Sequence, residues 1–64
     1  MMYTKKELLR WMDVPSIKII YIKDGRTITE FGYIRRVTDT TISLDYVNNI
    51  NIEDIVAIEN EERL

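Results

Sequence analysis

The fold is decided by residues 16–46, SIKIIYIKDGRTITEFGYIRRVTDTTISLDY, which have the pattern of three antiparallel strands joined by two tight turns. Asp24 and Gly25 lie between two runs rich in isoleucine, tyrosine, threonine and phenylalanine. An Asp-Gly pair between alternating apolar segments is a strong signal for a β-hairpin. The sequence therefore predicts strands at about residues 16–23, 26–37 and 41–46.

The second predicted strand changes the phase of its apolar residues. Ile28 and Ile34 occupy even positions, whereas Phe31 and Tyr33 occupy odd positions, so one face cannot hold all four. Gly32 lies at the change and indicates a bulge or a sharp bend, by which a small barrel passes a long strand from one sheet to the other.

The first and third predicted strands differ in their alternation. The first is apolar on both faces, which suggests that the barrel core covers one face and the helix or a second subunit covers the other. One face of this strand holds Ile17, Ile19 and Tyr21. The other face holds Lys18, Ile20 and Ile22. The third is expected to direct Ile42, Leu44 and Tyr46 inward and to leave Thr41, Ser43 and Asp45 in water.

A short helix is predicted at about residues 4–12. Thr4 and Glu7 have the spacing of a capping box, and Pro15 excludes the α conformation from the residue before it. The apolar stripe of this helix is Leu8, Leu9, Trp11 and Met12. Trp11 is expected to anchor the helix on the sheet; an exposed Trp11 would instead indicate a partner site.

The rest of the chain predicts short elements. Residues 47–49 have turn composition, Ile50 and Ile52 fit a fourth strand, Glu53 and Asp54 a single helical turn, and residues 55–58 a fifth strand. The predicted fold is therefore mainly β: one domain over residues 1–64, in which a short helix precedes a five-stranded, strongly bent antiparallel SH3-like or Sm-like barrel at about residues 16–59. Residues 60–64 are expected to form a frayed acidic tail.

The composition excludes several kinds of chemistry. A chain of 64 residues has a marginal core, so good packing or oligomerisation must stabilise it. It has no cysteine and no histidine, which removes disulfides, thiolate metal sites and the usual general base. The only two glycines have structural explanations, which leaves no phosphate-binding loop. We therefore expect no enzyme activity, cofactor or metal, and, in the absence of an export signal, a cytoplasmic location.

Charge is distributed unevenly along the chain. Residues 1–36 hold eight Lys or Arg and four acids, whereas residues 37–64 hold one Arg and seven acids. The predicted partner-binding or nucleic-acid-binding residues are Lys18, Arg26, Tyr33, Arg35 and Arg36, because arginine pairs with phosphate and tyrosine stacks on bases. The alternative is that these cations protect a strand edge while Tyr33 packs in the core.

Acidic residues form a second candidate group near the end of the chain. They could recruit a cation or occupy a nucleic-acid site on a partner, or they could form a solvated tail. The group consists of Glu53, Asp54, Glu59, Glu61 and Glu62.

One set of residues, spread over the predicted strands, has a recognisable spacing: Ile19, Tyr21, Asp24, Gly25, Gly32, Ile34 and Val37, followed by Ile50, Ile52, Asp54, Ile55, Ile58 and Glu59. In this pattern the chain resembles the YolD-like family of small bacterial and phage proteins. The resemblance implies an SH3-like or Sm-like barrel and an accessory role beside error-prone DNA polymerases. It also implies a phage or prophage origin.

A weaker likeness is to Sm-like RNA-binding proteins of the Hfq type, in which a short helix also precedes five strands. Those proteins carry a basic or histidine-containing motif before the fifth strand, where this chain has Glu53 and Asp54. Carboxylates repel phosphate, so a pore-type uridine site is not expected.

Two functions are consistent with the sequence. The first is a non-catalytic protein-interaction module that contacts a protein partner, or another copy of itself as a homo-oligomer, through strand edges. The alternative is a nucleic-acid-binding Sm-like protein that uses a basic strand face. No membrane partner and no small-molecule substrate are expected.

Overall fold

The computed structural model describes residues 2–61, which form one short helix and six strands in two antiparallel sheets. The elements are α1 (Lys5–Trp11), β1 (Ile17–Lys23), β2 (Arg26–Gly32), β3 (Ile34–Val37), β4 (Thr41–Leu44), β5 (Ile50–Asn51), a 3₁₀ helix (Ile52–Asp54) and β6 (Ile55–Asn60). The strand order is β2-β1-β6 in the first sheet and β3-β4-β5 in the second.

Helix α1 begins with the predicted capping box. The Thr4 side chain accepts a hydrogen bond from the backbone N–H of Glu7, and the Glu7 carboxylate accepts one from the backbone N–H of Thr4. Leu8 is the buried residue of the helix, and Trp11 packs, half-buried, against the core beside it. Leu8 and Trp11 therefore share the anchoring role that the sequence assigned to Trp11 alone.

The predicted hairpin between the first two strands is confirmed. Asp24 and Gly25 both have positive φ angles, 53° and 76°, as a two-residue type I′ turn requires. The pairing of β1 with β2 continues without interruption from the Lys23 and Arg26 pair to the Ile17 and Gly32 pair.

The predicted bend at Gly32 is also confirmed, but the strands around it do not form the closed five-stranded barrel that the sequence predicted. Gly32 has a φ of 146°, and the chain leaves β2 there to enter β3 in the second sheet. The long second strand is therefore two strands. Because no ladder joins the edges of the two sheets among residues 2–61, the strands form two separate sheets rather than a closed five-stranded barrel.

A single core lies between the helix and the two sheets. Its members are Leu8, Ile17, Ile19, Tyr21, Ile34, Ile42, Leu44, Ile50, Ile52, Ile55 and Ile58. The core includes the Ile17, Ile19 and Tyr21 face of β1, a choice between two apolar faces that the sequence left open, and two of the three residues predicted to face inward from the third strand. Burial of these side chains is the main force that holds together sheets too small to be stable alone.

Two side chains near the end of β4 differ from the prediction. Ser43, expected in water, is buried, because its hydroxyl accepts a hydrogen bond from the backbone N–H of Asn49, 3.1 Å away. Tyr46, expected in the core, is exposed, because β4 ends at Leu44 and the chain turns before Tyr46. The strand thus ends two residues earlier than predicted, and its alternation already fails at Ser43.

The end of the described chain also extends beyond the predicted strand. Strand β6 continues to Asn60, and the N–H of Glu61 donates to the carbonyl of Ser16 at 3.0 Å. Of the predicted acidic tail, residues 62–64 lie outside the described residues.

Candidate interaction surface

Three exposed aromatic side chains surround the bend at Gly32. Phe31, Tyr33 and Tyr46 are 50%, 45% and 63% exposed. Phe31 ends the regular part of β2, Tyr33 links β2 to β3, and the Tyr46 hydroxyl donates to the Phe31 carbonyl at 2.8 Å. We call these three residues the aromatic corner.

Gly32 allows the loop after β4 to approach the corner closely. A Cβ atom at position 32 would lie 2.5 Å from Oδ1 of Asp45, well inside van der Waals contact. A side chain at position 32 would therefore force the exposed carboxylate of Asp45 to move. Tyr46, the residue after Asp45, reaches the Phe31 carbonyl.

Lys18 lies next to the aromatic corner in the first sheet. It is paired in register with Phe31 of β2 on one side and with Glu59 of β6 on the other. Its Nζ atom is 3.3 Å from Oε1 of Glu59, and only 27% of its side chain is exposed. The positive charge of Lys18 is therefore partly compensated.

Arg35 and Arg36 follow Tyr33 in β3, where the pairing with β4 shifts register between Ile34 and Arg36. The guanidinium of Arg35 donates to Oδ1 of Asn48 at 2.8 Å, whereas Arg36 is exposed and has no side-chain partner among residues 2–61. Both cations are thus within three residues of Tyr33 along the chain.

Arg26 lies apart from the other predicted site residues. It begins β2 at the hairpin turn, whereas Gly32 ends that strand. A strand rises about 3.3 Å per residue, so Arg26 is roughly 20 Å from the aromatic corner. The structure therefore groups Lys18, Tyr33, Arg35 and Arg36 at one end of β2 and places Arg26 at the other.

The outer face of the first sheet is a second exposed apolar area. Ile22 and Val56 are exposed there, and Ile20 and Ala57 are half-buried. Ile20 and Ala57 are directly opposite each other in β1 and β6. The sequence offered the helix as one cover for this face, but α1 packs its buried residue into the core and leaves the outer face open among residues 2–61.

The acidic residues do not gather into one site. Glu59 pairs with Lys18, Asp54 accepts a hydrogen bond from the side chain of Asn51 at 3.4 Å, and Glu62 lies outside the described residues. Within residues 2–61, no group of three or more His, Cys, Asp or Glu side chains is placed to hold a metal ion.

Tyr21 is the one described residue whose acidity is clearly altered. Burial raises the pKa of the Tyr21 hydroxyl above 10.0, and the charge of Glu30 and the hydrogen bond to its carboxylate, at 3.3 Å, raise this pKa further. A hydroxyl that holds its proton this firmly acts as a hydrogen-bond donor, and here it orients Glu30 on β2.

One cavity of about 380 Å³ opens beside the N-terminal segment. Its lining includes Tyr3, Thr40 and Ile52, and an exposed ion pair between Lys5 and Asp39, 3.1 Å apart, lies at its side. Neither this cavity nor the aromatic corner was indicated by the sequence pattern. Phe31 and Tyr46 were missed because the alternation of apolar residues assigned them to strand faces.

No family model, curated protein or solved structure matches this chain. The resemblance to the YolD-like family and the likeness to Sm-like proteins therefore remain predictions. No helix within residues 2–61 is long and apolar enough to cross a membrane.

Proposed function

We propose that this protein is a non-catalytic interaction module whose aromatic corner contacts a protein partner. The observation that carries the proposal is the grouping of Phe31, Tyr33 and Tyr46, each about half-exposed or more, around one bend. Tyrosine and other aromatic residues are enriched among the side chains that dominate binding energy at protein interfaces. A fixed group of them on a small surface is costly to leave in water and is typical of a binding site.

The corner is also held in place, which favours binding. Tyr46 is fixed by its hydrogen bond to the Phe31 carbonyl, and Phe31 belongs to a strand with an uninterrupted register. A side chain that is already ordered loses less conformational entropy when a partner covers it.

The proposal includes the type of fold, an SH3-like or Sm-like arrangement of the two sheets. A short N-terminal helix, a strand bent at a glycine between two sheets and a 3₁₀ turn before the last strand are features of SH3-like and Sm-like barrels. Within that assignment, the YolD-like resemblance suggests a regulatory protein of phage or prophage origin, or an accessory protein of a DNA-repair polymerase.

The proposal is tested by capturing partners from a bacterial lysate with immobilised wild-type protein, followed by calorimetry with the purified partner. Tyr33→Ala should weaken binding by tenfold or more, because the side chain is 45% exposed and has no hydrogen bond within residues 2–61. Leu9→Ala is the matched control, since Leu9 is exposed to the same degree on α1. The proposal fails if no captured protein loses affinity with Tyr33→Ala, or if both variants lose it equally.

A second candidate function is binding of single-stranded nucleic acid. Lys18 lies opposite Phe31, and Arg35 and Arg36 follow Tyr33 in the chain. This arrangement favours nucleic-acid binding, because aromatic rings can stack on bases while neighbouring cations pair with the phosphates. The pairing of Lys18 with Glu59 and the net charge of −2 weigh against it.

This second candidate is tested with a labelled oligothymidine by fluorescence anisotropy. Binding at about 20 mM salt that weakens steeply at about 200 mM, and that Arg35→Glu with Arg36→Glu abolishes, would support it. An unchanged anisotropy at low salt would eliminate it.

A further inference from the structure

Of the four sheet edges formed by residues 2–61, three carry features that discourage pairing with another strand. Strand β6 has a register shift in its pairing with β1, β3 has a register shift and two exposed arginines, and β5 is two residues long. Irregular, charged or very short strands make poor templates for a new strand.

The fourth edge, β2, is neither irregular nor short, and its two charged residues, Arg26 and Glu30, have opposite signs. It is seven residues long, contains neither proline nor lysine, and keeps an uninterrupted register with β1. Among residues 2–61, β1 is its only neighbour in the sheet. A long and regular free edge of this kind is a template for β-strand addition.

The hairpin geometry decides which backbone groups of β2 are free. The two-residue turn makes Lys23 and Arg26 a hydrogen-bonded pair, so the backbone groups of even-numbered residues point toward β1. Those of Thr27, Thr29 and Phe31 point outward. The Tyr46 hydroxyl donates to the carbonyl of Phe31, which agrees with this direction. This hydrogen bond occupies the last outward-pointing carbonyl of β2.

We propose that β2 pairs antiparallel with β2 of a second copy of this chain, with the two-fold axis at Ile28. This homodimer goes beyond the proposed function, because it uses the β2 edge rather than the aromatic corner. In this register Thr27 faces Thr29 of the second copy, and the two symmetric pairs form about four backbone hydrogen bonds. The capped carbonyl of Phe31 lies outside these bonds.

Charge complementarity selects the same register. It places Arg26 directly opposite Glu30 of the second copy, twice by symmetry, and opposite charges across strands stabilise a ladder. Arg26 has no side-chain partner of its own within residues 2–61. Moving the axis to Thr29 would place Glu30 opposite Ile28 and would require the Phe31 carbonyl, which Tyr46 already occupies.

The central contact of the dimer is apolar. Ile28 packs against the core from a half-buried position, so part of its side chain faces solvent at the free edge. With the axis at Ile28, the two copies of this side chain meet and cover each other. The edge therefore offers backbone bonds, ion pairs and apolar contact to a second copy.

The test measures mass by native mass spectrometry and sedimentation equilibrium at about 100 µM protein and low salt. The wild-type protein should form a species of twice the 7.7 kDa chain mass. Arg26→Glu and Glu30→Arg should each weaken dimerisation about tenfold or more, because each puts like charges opposite one another twice. Mixing the two variants should restore a heterodimer, which misfolded variants could not do.

A backbone variant tests the edge itself. Thr29→Pro removes an outward N–H and leaves the ladder to β1 intact, so the hairpin should remain folded by circular dichroism while the dimer is lost. Ile28→Pro is the control that should disrupt the fold, because that N–H points toward β1. A dimer that survives Thr29→Pro, or a wild-type monomer at 100 µM, overturns the proposal.

The outcomes also separate this proposal from the interaction function. A wild-type monomer that still binds a partner through Tyr33 would refute the dimer and leave the role of the aromatic corner standing. A wild-type protein that dimerises but captures no partner would refute the role of the aromatic corner and leave the dimer standing.

Discussion

Replacing Gly32 by alanine tests the bend on which the two-sheet architecture depends. The φ of 146° at this position is nearly closed to residues with a side chain, and holding alanine there costs about 1–3 kcal/mol. The lower entropy of the unfolded alanine chain offsets about 0.4–1 kcal/mol of this strain. We therefore expect a net loss of about 1–2 kcal/mol, a large share of the roughly 3–10 kcal/mol available to a chain of this length.

The contact with Asp45 adds a second contribution that a double variant can separate. The new Cβ would meet Oδ1 of Asp45 at 2.5 Å, but Asp45 is exposed and can rotate away. The loss caused by Gly32→Ala should therefore remain at least half as large when Asp45 is alanine as well. Gly25→Asn is the matched control, since a side chain at position 25 would meet nothing within 4 Å and asparagine tolerates a φ near 76°.

Thermal and urea denaturation followed by circular dichroism would measure these losses. Gly32→Ala should lower Tm by about 5–15 °C, and Gly25→Asn should cost less than about 1 kcal/mol. A loss below about 0.5 kcal/mol for Gly32→Ala would refute the backbone argument. Complete rescue by Asp45→Ala would show instead that crowding, not the dihedral angle, requires glycine.

Two further predictions concern the helix cap and the buried tyrosine. Thr4→Ala should cost about 1 kcal/mol in urea denaturation because the N–H of Glu7 loses its acceptor, whereas Lys6→Ala, at an exposed helix position, should change stability by less than half as much. Because the pKa of Tyr21 is raised in the folded state, its contribution to stability is complete below pH 10 and is lost as the pH rises from 10 toward the folded pKa. Tyr21→Phe should therefore flatten the fall in stability above pH 10, and an identical pH profile for the two proteins would contradict this assignment.

Local chemistry explains which parts of the fold the sequence predicts well. The hairpin follows from Asp24 and Gly25, the bend from Gly32 and the helix start from Thr4, because each of these features depends on a few neighbouring residues. Alternation also divides β1 into its two faces, although it does not show which of these two apolar faces meets the core.

The features that were missed depend on contacts between distant residues. Alternation assigned Tyr46 to the core because it cannot reveal that the chain turns after Leu44 to bring Asp45 against Gly32. The environment of the candidate site depends on distant residues in the same way. The sequence shows the charges of Lys18 and Arg35, but the partners that restrain these side chains come from other strands and loops.

The position of β1 between β2 and β6 has a consequence for synthesis on the ribosome. Strand β2 follows β1 at once, whereas β6 is made roughly 40 residues later. At translation rates of about 5–20 residues per second, roughly 40 residues take about 2–8 s to synthesise. The first sheet therefore cannot be completed until residues 55–60 have been made, so the pairing of β1 with β6 is a late step in folding.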